Sequence, residues 1–112
     1  MLVVYGIPNC DTVKKTLKWL QEKGLAHQFH DYKKQGITPQ KLADWLAQTD
    51  WQTLINRAGT THKQLSDEQK VALKDNESAI ALMLQKPSII KRPVIEQADK
   101  IVKIGWKPEG LA

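Results

Sequence analysis

The 112-residue chain is poor in several residue types, and each shortage narrows what it can be. It has a single cysteine, Cys10, so no internal disulfide can form, which fits a reducing, cytoplasmic setting. There is one phenylalanine, and aromatics make up only 6% of the chain. The longest uncharged apolar run, Ser78 to Gln85, is far too short to cross a bilayer. The start, Met1-Leu2-Val3-Val4-Tyr5, lacks a basic lead and a small-residue cleavage site, so it does not read as a signal peptide. Arginine is nearly absent from a lysine-rich chain, occurring only at Arg57 and Arg92. No glycine-rich phosphate loop and no Ser/His/Asp nucleophile pattern is present. His27, His30 and His62 do not fall at metal-ligand spacing with Cys10, and no metal site is expected.

What is present is an ordinary globular composition, 41% apolar and 26% charged, with a net charge of +5. The excess sits at the two ends. Residues 1–37 carry six lysines against three acids, and residues 86–112 carry five lysines and Arg92 against three acids. Residues 38–85 carry five basic groups against six acids. Scattered lysines without a basic run or interleaved aromatics argue against a nucleic-acid groove. Ends that fold together would make one positive surface around Cys10, suited to a small anionic partner.

Leu2-Val3-Val4-Tyr5 is a short apolar run ended by Gly6-Ile7-Pro8-Asn9, which reads as a buried strand and a turn. From Asp11 the period changes: Val13, Thr16, Leu17 and Leu20 fall on one helical face, and Lys23-Gly24 supplies the stop. His27 to Tyr32 alternates like a second strand. Strand, helix and strand in about thirty residues predict a parallel pair with a right-handed crossover.

The middle reads as helices. Thr38-Pro39 caps a run bearing Leu42, Trp45 and Leu46, and Ser66 and Gln69 form a capping box ahead of Val71 and Leu73. A further helix spans Glu77 to Leu84, stopped by Pro87. Pro93 to Glu96 and Lys100 to Gly105 then suit an antiparallel hairpin, and Trp106 to Gly110 a short terminal helix. The chain is expected to be one α/β domain over 1–112. Its sheet would be thioredoxin-like, a βαβ unit plus a ββ hairpin, with a helical insertion at about 38–85.

A lone cysteine is commonly a small buried hydrophobe. Cys10, however, stands at a strand-to-helix junction, where unpaired N–H groups converge and the helix dipole favours an anion. Such placement lowers a thiol pKa, and the thiolate is the species that attacks. Lys14 and Lys15 add positive charge one turn on, while Asp11 opposes them. Val13 occupies the place of a resolving thiol in a dithiol redox motif, so any turnover must take its second thiol from outside. The two arginines are either solvated surface charges or forks for an oxyanion or carboxylate.

Tyr5-Gly6-Ile7-Pro8-Asn9-Cys10-Asp11-Thr12-Val13-Lys14-Lys15 resembles the active-site loop of the arsenate reductase-like (ArsC) family, most closely its YffB branch. Leu54-Ile55-Asn56-Arg57 and Lys91-Arg92-Pro93-Val94-Ile95 resemble the family's two other signature segments, and Ile104-Gly105-Trp106 the end of the YffB-type core. The resemblance spans essentially the whole chain. It implies a thioredoxin-like fold, Cys10 as nucleophile, Arg57 and Arg92 holding an anionic group, and a cis bond at Arg92-Pro93. It also implies that Asn9, Asp11, Thr12, Lys14 and Pro93 contribute to substrate binding.

Arsenate reductases of this type use a third arginine after the Arg-Pro segment, and residues 94–112 contain none. Lys100, Lys103 and Lys107 offer charge without the bidentate fork. The expected function is therefore a monothiol reductase with glutathione as cosubstrate, acting on a small thiol or oxyanion substrate. No bound cofactor, nucleic acid or membrane is expected, and the chain is expected to be a monomer. Two alternatives stand beside it: a protein-binding regulator of the Spx type, which contacts RNA polymerase, and a glutaredoxin-coupled arsenate reductase. Spx-type regulators typically carry a Cys-x-x-Cys switch, which Val13 removes here.

Overall fold

A computed structural model describes residues 1–105. Its contacts divide the chain into two compact units: Met1–Gly36 together with the chain from Arg92 onward, and Ile37–Lys91. The terminal helix expected at Trp106 to Gly110 lies outside the described residues.

The first unit joins the two ends of the chain in one mixed sheet. Strand β1 (Leu2–Gly6) leads through a short loop to α1 (Asp11–Glu22), which returns to β2 (His27–Asp31). β1 and β2 pair in parallel, as the βαβ spacing predicts. After the second unit come β3 (Val94–Gln97) and β4 (Lys100–Ile104), giving the strand order β2-β1-β3-β4. β3 runs antiparallel to both β1 and β4. The β3–β4 turn places Ala98 at φ 52° and Asp99 at φ 64°, the two left-handed residues that match a tight hairpin to strand twist.

The helical face read from sequence is the one α1 buries: Val13, Thr16 and Leu20. On that side of the sheet Leu2, Val4, Leu20 and Ile95 form the core, with Leu17, Trp19, Leu25 and Phe29 packed against it. Thr16 is tolerated at 0% exposure because its hydroxyl donates to Thr12 O at 2.8 Å. α1 ends where Gly24 turns to φ 68°.

β2 stops one residue short of the alternating stretch. Asp31 caps a four-residue helix, α2 (Tyr32–Gln35), accepting from Lys33 N at 2.9 Å and Lys34 N at 3.4 Å. Tyr32 therefore opens a helix instead of closing a strand, and it is buried there.

The second unit is helical: α3 (Pro39–Gln48), α4 (Trp51–Leu54), α5 (Thr60–Lys63), α6 (Asp67–Ala72), α7 (Asn76–Gln85) and a 3-10 turn at Pro87–Ile89. α3 buries Leu42, Trp45 and Leu46 behind a Thr38 cap, as its spacing predicts. The Ser66–Gln69 capping box is formed, but α6 buries no residue of its own and Val71 is 78% exposed. The capping signal located that helix correctly; with only six residues it turns Val71 outward and leaves Leu73, just past its end, to enter the core. The C-terminal end of the unit is tied back to the segment that follows α4. Ile55 and Ile90 form an antiparallel bridge, flanked by Asn56 N to Ile89 O at 2.8 Å and Lys91 N to Leu54 O at 2.7 Å.

Candidate active site

Gly6 closes β1 where Val13 of α1 comes close. A Cβ on Gly6 would stand 2.7 Å from Val13 Cγ2, so only glycine lets the first turn of the helix approach the strand this tightly. Ile7 to Cys10 make the connecting turn, with Cys10 N donating to Ile7 O at 3.4 Å. Cys10 is the N-cap residue of α1, in extended conformation at φ −97° and ψ 124°. Its carbonyl accepts the first helical hydrogen bond, from Lys14 N at 3.0 Å.

Cys10 is half-buried, and its thiol pKa lies below the ordinary value. Burial alone would raise it. The Val13 N–H, a hydrogen bond from the Arg92 side chain, the Thr12 N–H and the Arg92 charge together outweigh that burial. The side chain makes no capping hydrogen bond as a thiol. The N–H groups act on the thiolate, a far better acceptor. Lys14 and Lys15, expected from sequence to share this work, are exposed on α1; the cation that acts on the sulfur is Arg92.

Arg92 reaches Cys10 through strand register. β3 runs antiparallel to β1 with Val94 opposite Tyr5, so the residues just before Val94 pass beside those just after Tyr5. The Arg92-Pro93 bond is cis, and Pro93 O accepts from Gly105 N at 2.8 Å. Two positions 82 residues apart are thereby joined.

On the sheet face away from α1, Tyr5 lies 4.7 Å from the His30 ring and 6.3 Å from the Tyr32 ring, centroid to centroid. His30 is tied to Gly36 O through Nε2 at 2.7 Å. Burial holds the Tyr32 phenol well above its ordinary pKa; the Arg92 charge opposes this, while Tyr5 and Glu96 reinforce it. The same guanidinium thus acts on both Cys10 and Tyr32. Sequence reading did not single out Tyr32 or the 2%-exposed Glu96. Asp31 followed by Lys33, Lys34 and Gln35 was the available signal for the capped turn that carries Tyr32 inward.

Of the residues expected to bind substrate, Asn9 and Asp11 are exposed either side of Cys10, Thr12 is half-buried and Lys14 is exposed one turn on. Pro93 is buried after Arg92. Arg57 belongs to the second unit, exposed in the turn that follows α4. There Gly59 N donates to Asn56 O at 3.2 Å, and Arg57 with Lys70 helps hold the His62 pKa down, behind burial as the main cause.

The comparisons with known proteins agree with this architecture. The ArsC family model matches residues 5–112. A solved YFFB protein superposes with a TM-score of 0.90 at 48% identity, covering 98% of this chain and 95% of its own. An arsenate reductase (ArsC) related protein from Brucella melitensis gives a TM-score of 0.81 at 43% identity, over 98% of this chain and 90% of its own. An uncharacterised protein of Haemophilus influenzae is 41% identical over 100 residues, 89% of this chain and 87% of its own length.

Proposed function

From the premise that the chain belongs to the ArsC family, we propose that it is a cytoplasmic monothiol reductase that uses glutathione. Cys10 is its nucleophile, and Arg92 and Arg57 hold the anionic group of the substrate. The family and fold carry the coarser reading, a thiol oxidoreductase related to arsenate reductases. The observation that supports the finer one is the lowered Cys10 pKa, produced by two helix-start N–H groups and one arginine.

The chemistry balances with one protein thiol. The Cys10 thiolate attacks the glutathione sulfur of a mixed disulfide R–S–SG, and the R–S⁻ leaving group takes a proton from solvent to become R–SH. Cys10 now carries glutathione as a disulfide. A second glutathione thiolate attacks the glutathione sulfur of that bond, releasing GSSG and restoring the Cys10 thiolate. The substrate gains two electrons, and two glutathione units leave as their disulfide. Val13 stands where an internal thiol would intercept the intermediate, which is why the second thiol comes from solution.

The test is intact mass after incubation with oxidised glutathione. The expected result is a single glutathione adduct, absent from Cys10→Ser and removed by reduced glutathione. A wild-type protein that stays unmodified overturns the reading.

A further inference from the structure

The mechanism leaves one conspicuous surface unused, the outer face of α1. Lys14, Lys15 and Lys18 are all exposed there. Lys14 N–H bonds to Cys10 O at 3.0 Å, which fixes Lys14 one turn above the cysteine. At about 1.5 Å per residue, Lys14 lies roughly 6 Å and Lys18 roughly 12 Å along the helix from Cys10. The screening length is about 8 Å at physiological ionic strength, so a substrate charge held one turn from Cys10 meets Lys14 and Lys15 and hardly meets Lys18. Lys18 also has Glu22 one turn on, and Lys23 lies 5.8 Å over the Trp19 ring. Along the start of α1 the charges nearest Cys10 in sequence are then Lys14 and Lys15 against Asp11. Arg92 is engaged at the sulfur itself.

We propose that Lys14 and Lys15 select the protein half of the mixed disulfide, favouring polypeptide substrates with an acidic side chain two residues from the target cysteine. The length scales agree. An extended peptide advances about 3.3 Å per residue, so two residues span roughly 6.6 Å, close to the one helical turn from Cys10 to Lys14. An acid at that position meets the two lysines while the disulfide meets the thiolate, and a lysine at that position is repelled. The selection acts through the rate of encounter and attack, and it weakens with salt. It rests on the reductase reading, with Cys10 as attacking thiolate.

The test uses three synthetic peptides presented as glutathione mixed disulfides. They are alike except for Asp, Gln or Lys two positions from the cysteine. Release of peptide thiol by wild-type protein is followed in a single turnover, and each rate is divided by that for 2-mercaptoethanol, which removes the peptide's own reactivity. The expected Asp-to-Lys ratio is about five to ten at low ionic strength, falling towards one in high salt. In Lys14→Glu/Lys15→Glu the ratio inverts; because it is a ratio, any change in the Cys10 pKa cancels. Release from all three peptides with a ratio near one at low salt, or a ratio indifferent to the double substitution, overturns the preference and leaves the reductase reading standing. No release from any peptide overturns the reductase reading and the preference with it.

Discussion

A thiol at a helix start is held between two opposed effects, and Cys10 shows which wins. Half-burial opposes the thiolate, yet two N–H groups and the Arg92 guanidinium more than compensate. The sign follows directly. A depressed pKa in the folded protein means that folding gains stability above the unfolded thiol's value, about 8.5. That gain is lost as pH falls through the lower, folded value. Alkylation of Cys10 by iodoacetamide, followed against pH, should therefore reach half its maximal rate below the midpoint of a free thiol. Arg92→Gln removes both the hydrogen bond and the charge, so its midpoint should rise and its rate at pH 7 should fall several-fold. Arg92→Lys keeps the charge without the planar fork and should fall between the two. A midpoint unmoved in Arg92→Gln would leave the helix start as the sole source of the shift.

At the scale of elements, capping separates what was legible from what was not. α1, α3 and α7 are long enough for an apolar period to stand out: α1 and α7 fall within two residues of the bounds the pattern predicts, and α3 starts at its predicted Thr38-Pro39 cap. α4 and α5 have four residues each, too few for a period, and went unread. α4 depends on Asp50, whose side chain accepts from Thr53 N at 2.7 Å. At the site, Cys10 was legible because a Gly-x-Pro-x-Cys-Asp turn precedes a clear helix, and Arg92 because it precedes a proline and a strand. Their pairing was not, since it arises from the opposition of Val94 to Tyr5, a register no local pattern encodes.

Two caps make a pH test of this scale. In α7, Asp75 accepts from Ser78 N at 2.8 Å, and this bonding lowers its pKa. Its contribution is present above the unfolded carboxyl value, about 3.9, and is lost as pH falls through the lowered folded value. In α6, Ser66 accepts from Gln69 N at 3.1 Å without a charge. Ser66→Ala should cost about 1 kcal/mol at any pH. Asp75→Ala should lower the thermal midpoint at pH 7, and by distinctly less at pH 2. Thermal melts of both variants at the two pH values check this; an equal loss for Asp75→Ala at both would mean that the carboxylate charge contributes nothing.

Across the whole molecule, stability and chemistry are assigned to different places. In the first unit, Ile95 faces the α1 side of the sheet with Leu2, Val4 and Leu20, while Tyr5 and Tyr32 stack on the other side, where Arg92 acts. In the second unit, Trp45 is the largest of the fully buried side chains and stands on α3, which packs against α7. A domain of this size is stable by only about 5–15 kcal/mol. Ile95→Ala should cost about 2–5 kcal/mol and Trp45→Ala about 3–5 kcal/mol, which together approach that whole. Each single variant is expected to fold with a clearly lowered urea midpoint. Ile95→Val is the sharper probe. Removing one methylene should cost about 1 kcal/mol in urea unfolding while leaving the Cys10 alkylation midpoint where it was. The sheet register holds Arg92 in place, and a small void on the α1 face does not disturb it. A midpoint that moved with Ile95→Val would mean that packing on that face, as well as register, sets the distance between the guanidinium and the sulfur.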